Sequence, residues 1–123
     1  MTKIQVLHCA ETIKGGIATY LRELLPLQVA ALGVGAVAVV IPESQVAELP
    51  LPDGVRLFTF SDNNSRVINS LILAKSVNKL LRDIQISTIH IHSTFAGASL
   101  RPSIRLLFRK VKIVYCPHGW AWD

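Results

Sequence analysis

Five short apolar runs, separated by junctions rich in glycine, proline or polar residues, constrain this chain more than any other feature. They are residues 3–9, 35–41, 55–60, 87–92 and 112–116, each of strand length. The segments between most of them change to helical spacing. Residues 17–32 place Ile17, Leu21, Leu24, Leu25, Gln28 and Leu32 along one stripe, with Gly33 as terminator and Pro26 as the point where the helix would kink or split. Residues 67–83 are the clearest helix, with Leu71, Ala74, Val77, Asn78 and Leu81 near one stripe and Lys75, Lys79 and Arg82 on another. A third helix spans residues 97–108, and a short helical piece lies near residues 45–48 in a proline-rich connection. Residues 61–64 are polar and supply helix caps. Strands that alternate with helices pair in parallel through right-handed crossovers. A parallel sheet is buried on both faces, which suits continuous apolar runs better than alternating ones.

Composition agrees with one α/β domain. The chain has 123 residues, half of them hydrophobic and 17% charged, enough for one real core and too few residues for two. No apolar run approaches the ~20 residues of a membrane-spanning helix. The longest covers residues 34–41. Lys3 is followed by no signal-peptide hydrophobic region, so the expected location is cytoplasmic. Cys9 and Cys116 fall in strands with one strand between them. At ~4.8 Å per strand step their Cα atoms would be roughly 10 Å apart, too wide for a disulfide, so buried thiols are expected.

The net charge of +5 is concentrated late in the chain. Arg101, Arg105 and Arg109 recur every fourth residue on one helical face, with Lys110 and Lys112 beyond. Two readings stand open: a solvated helix face, or a basic surface for anionic lipid headgroups. Nucleic acid is disfavoured as a partner, because no aromatic residues are interleaved with the basic ones.

Three junctions carry chemistry. The first strand leads into Lys14-Gly15-Gly16, the fourth ends at His90-Ile91-His92-Ser93-Thr94, and the fifth delivers Pro117-His118-Gly119-Trp120. In a doubly wound sheet of order 3-2-1-4-5 the switch point lies between strands one and four, where ligands bind beyond the strand ends. Gly15, Gly16, His92, Ser93, His118 and Gly119 would then line one crevice. Gly15-Gly16 opens a helix, where backbone N–H groups favour an anion. It is not the dinucleotide fingerprint, since Ile17 and Ala18 follow the pair. His90 and His92 share a sheet face and make a metal pair conceivable, yet no third ligand stands at a diagnostic spacing, so no metal is expected. His92 is expected at the crevice edge with Ser93 and Thr94, His90 buried and hydrogen-bonded, and His8 in the core. Glu11 could touch a hydroxyl, although solvent exposure is the commoner state of such a residue. Trp120 and Trp122 are open between a sugar-stacking platform and packing against further sequence. No catalytic triad or carboxylate pair stands out.

Taken in order, the Gly-Gly loop, the His-x-His-Ser segment and the Pro-His-Gly segment resemble the N-terminal domain of GT-B glycosyltransferases of family 4, over residues 3–120. The resemblance implies a Rossmann-like domain and retaining transfer from a nucleotide-sugar, without a bound metal or any cofactor beyond that co-substrate. It places Gly15-Gly16 near the donor phosphate and the acceptor. His118 falls beside the donor sugar or its phosphate, as the candidate catalytic residue through positioning and charge stabilisation, with general-base chemistry as the lesser role. Residues 1–123 would be a single, incomplete N-terminal domain without the C-terminal donor-binding domain, inactive alone. The implied partners are a nucleotide-sugar and a saccharide or lipid-linked acceptor, with membrane association through Arg101, Arg105 and Arg109 and self-association as open possibilities. The rival reading is a non-catalytic Rossmann-like module that binds phosphate or takes part in assembly.

Overall fold

The structure, a computed structural model, describes residues 3–63, 65–92, 94–107 and 110–116. Five strands, β1 (Ile4–Cys9), β2 (Val37–Pro42), β3 (Val55–Phe60), β4 (Ile86–Ile91) and β5 (Lys112–Tyr115), form one sheet. Every pairing is parallel and the order is β3-β2-β1-β4-β5. This is the doubly wound, Rossmann-like arrangement, with its switch point between β1 and β4.

The crossovers sort onto two faces. Helix α1 (Gly16–Leu32) and the 3-10 turn Glu43–Glu48 connect β1 to β2 and β2 to β3. Leu21 and Leu25 of α1, and Leu49 just past the turn, pack with Val37, Val39 and Ile41. Helices α2 (Arg66–Asp83) and α3 (Thr94–Leu107) connect β3 to β4 and β4 to β5. Leu73, Val77, Leu100 and Ile104 pack there with Leu7, Ala38, Val40, Ile89 and Ile91. Chain movements in opposite directions along the sheet put right-handed crossovers on opposite faces. β2 lies under both layers, and all six of its residues are buried. Edge strand β3 instead alternates, with Leu57 and Thr59 exposed.

Element limits differ from the sequence expectation where local chemistry overrides periodicity. α1 runs unbroken through Pro26, which is exposed. α3 begins at Thr94, three residues before Gly97. The cap of α2 is Ser65, one residue past the polar loop, whose Oγ accepts from the Ile68 N–H at 3.3 Å. Cys9 is buried and Cys116 half-buried just past β5, and both are free thiols.

Candidate functional site

The C-terminal ends of β1, β2 and β3 open into a polar cleft of about 330 Å³. Each strand supplies it through the residue two places past its end: Glu11 after β1, Ser44 after β2, Asp62 after β3. Arg66, at the start of α2, and Lys14, before α1, add two cations. Gln45 orders the floor. Its Oε1 accepts from the Ile13 N–H at 2.7 Å, and Thr12 hydrogen-bonds the same amide group. The loop that leads to Gly15-Gly16 is thereby tied to the 3-10 turn. Opposite, Ser44 donates through its hydroxyl and its backbone N–H to the Asp62 carboxylate, holding that group below the usual carboxylate range.

Glu11 is the unexpected member. Solvent exposure was the commoner expectation for it, but it is only 1% exposed. Its Oε1 accepts from the Ala96 N–H at 3.1 Å, in the first turn of α3, where the helix dipole favours a negative charge. Oε2 is buried, accepts no hydrogen bond from the described residues, and lies 3.7 Å from Arg66. A buried carboxylate oxygen with only an ion pair at that distance retains capacity for a donor. Glu11 is among the residues that line the cleft, with that oxygen closed to solvent beside the half-exposed Arg66, so a ligand hydroxyl or N–H would reach it only after side chains around it move.

A second cluster occupies the face of β1 and β4 that carries α1. The register sets His8 directly beside His90, and His92 lies two residues further along. The His8 and His92 rings come within hydrogen-bond distance, Nδ1 to Nε2, at 2.7 Å. His8 Nε2 lies 2.6 Å from Gln28 Oε1 on α1. An amide oxygen only accepts, so His8 carries its proton on Nε2 and turns the Nδ1 lone pair to His92. The His90 and His92 rings stack with centroids 4.0 Å apart, and Tyr20 of α1 closes one side. Burial holds His8 down to about 4, aided by His90 and opposed by the Gln28 hydrogen bond, so it is neutral at neutral pH.

The sequence-derived candidates separate accordingly. Gly15 is the N-cap of α1 at φ 78°, and Gly16 is its first residue; both are exposed and nothing lies within 4 Å of a Cβ on either. Room for a ligand backbone-on approach therefore exists at this end of the sheet. His92, expected at the crevice edge, is fully buried because it closes on His8. Ser93, His118, Gly119, Trp120 and Trp122 lie outside the described residues. Of the basic face, Arg101 and Arg105 are exposed, Arg101 stands 5.4 Å over the Tyr115 ring, and Arg109 lies outside the described residues. Sequence reasoning missed the Ser44, Asp62 and Arg66 side of the cleft. The signal was a polar residue two places after each of β1, β2 and β3.

No protein-family profile and no solved structure matches the chain. It is 33% identical over 122 residues to an uncharacterized 41.2 kDa protein in the cps region of Klebsiella pneumoniae. That overlap takes in 97% of this chain and 32% of the relative, so the chain spans about a third of the length of the curated relative it matches.

Proposed function

We propose that this chain is the acceptor-side half of a retaining glycosyltransferase that moves a sugar from a nucleotide-sugar to a saccharide or lipid-linked acceptor. The observation that carries the reading is the cleft at the sheet crest, where a buried carboxylate faces a polar opening flanked by Lys14 and Arg66. Glu11 Oε2 would accept from an acceptor hydroxyl. Gly15 and Gly16 would leave room for the donor phosphate at the α1 N-terminus. The order of the three junction motifs and a relative in a cps region, a capsule polysaccharide gene region, support the same chemistry.

Under this reading the Pro117-His118-Gly119 motif, which lies outside the described residues, contributes its histidine to the donor side. His118 would stabilise charge developing on the departing phosphate, while Ser93 and the other crest groups position the substrates. The matching donor domain would supply the nucleotide contacts.

The test is a transfer assay on a protein of the relative's length that carries this segment, with labelled uridine and guanosine diphosphate sugars. Transfer is expected, with turnover falling by about 10²-fold in His118→Ala, as for loss of one preorganised donor. Glu11→Ala should weaken acceptor use more than donor use. No transfer from any donor, with nucleotide left unhydrolysed, would return the chain to the non-catalytic module.

A further inference from the structure

We propose that His8, His90 and His92 form a binding site for one divalent late first-row transition ion of the zinc class, held between β1 and β4 beneath α1. The proposal is independent of the glycosyl-transfer reading. It rests on convergence that the sequence spacing concealed: the third ligand is 82 residues before its register partner, on the neighbouring strand.

One ring nitrogen from each histidine lies within 4.8 Å of the other two. In a tetrahedral zinc site, bonds of about 2.0–2.1 Å put ligand nitrogens roughly 3.3 Å apart. The His8 Nδ1 to His92 Nε2 separation of 2.7 Å is shorter than that, and the widest in the cluster is longer. Ring rotations would have to open the short pair and draw in the third nitrogen, and parallel β1 and β4 already present the side chains on one face.

The surroundings match what an imidazole ligand needs. Gln28 Oε1 accepts from His8 Nε2–H, which fixes the ring and leaves Nδ1 as the coordinating atom. Without an ion, His92 donates its Nε2 proton to His8 Nδ1. With one, His92 takes the Nδ1–H tautomer and both facing lone pairs go to the metal, so neither ring changes charge. Nitrogen-only donors select zinc, nickel, copper or cobalt over calcium and magnesium, which require oxygen. Three protein ligands leave one tetrahedral position for water or another small ligand. The ion would tie the switch-point strands together at the site where the sheet reverses its winding.

The experiment uses the 123-residue chain, free of any histidine tag and stripped with chelator. Cobalt(II) is titrated and its visible absorption followed, then zinc is added in competition. Saturation near one equivalent, a tetrahedral cobalt spectrum displaced by zinc, and a raised unfolding temperature with zinc are expected. Gln28→Ala should weaken the ion about 10–100-fold while the far-ultraviolet circular dichroism is unchanged, as for loss of an outer hydrogen bond to a ligand. His92→Gln should remove the tetrahedral spectrum. A folded wild-type chain that does not saturate at millimolar cobalt, or equal binding by His92→Gln and wild type, would overturn the site. Should His92→Gln fail to fold, the Gln28→Ala titration decides, and unchanged affinity there counts against it.

Discussion

His8 shows how one residue's burial becomes a pH-dependent property of the whole chain. Its folded pKa is about 4, below the ordinary histidine value of 6.5, chiefly because burial penalises the imidazolium. Between those values the unfolded chain binds a proton that folded His8 refuses, so stability from this group rises with pH and is lost as pH falls through that window. The charged form would also meet His90 and His92, with Gln28 and Tyr20 of α1 closing the cluster. A shift of this size corresponds to a loss on the order of 3 kcal/mol near pH 4. Urea unfolding in chelator at pH 7, 5.5 and 4 should therefore show a steeper decline for wild type than for His8→Gln. Parallel declines would mean that His8 takes up its proton as easily folded as unfolded. Cys9 behaves in the opposite sense: burial pushes its thiol up, leaving it an unreactive core group.

At the scale of elements, the packing of α3 on β5 depends on an absent side chain. A Cβ on Gly97 would come 2.5 Å from Tyr115 Cε1 and 3.1 Å from Cδ1. Tyr115 is half-buried, with the exposed Arg101 guanidinium 5.4 Å from its ring centroid. Two effects oppose each other in Gly97→Ala. Helix propensity favours alanine by about 1 kcal/mol. Overpacking against the ring costs about 1–3 kcal/mol. Net destabilisation of about 1 kcal/mol is expected in chemical denaturation, and Gly97→Ala combined with Tyr115→Leu should recover it. A stabilised single variant would show that the ring yields freely. The same helix anchors the Glu11 carboxylate through Ala96, so the seating of α3 and the geometry of the cleft are linked.

For the molecule as a whole, the position of the cleft implies a division of labour. Its cations and carboxylate sit on one rim of a single sheet, and the described residues offer no second wall that could enclose a nucleotide. Calorimetric titration of the 123-residue chain with uridine and guanosine diphosphate sugars should accordingly show weak binding or none, and no sugar transfer. Submicromolar binding would mean that a complete nucleotide site lies within these residues. Among the described residues no helix is long and apolar enough to cross a membrane.

The strands, their parallel order and the location of the crest followed from the sequence, because both signals are local. Continuous apolar runs such as residues 37–42 report burial on two faces, and helical spacing between them dictates crossovers. Gly15-Gly16 was legible for the same reason: a strand, a turn and a helix adjoin in the chain. The burial of Glu11 was not, since its partner Ala96 is 85 positions away and only the docking of α3 brings that N–H to it. Nor was the histidine trio, where two ligands share a strand but the third arrives through sheet register. Local periodicity determines which face a side chain occupies. Which distant side chain shares that face is decided only when strands pair and helices seat, because the energies that bring them together act across space and leave no spacing in the sequence.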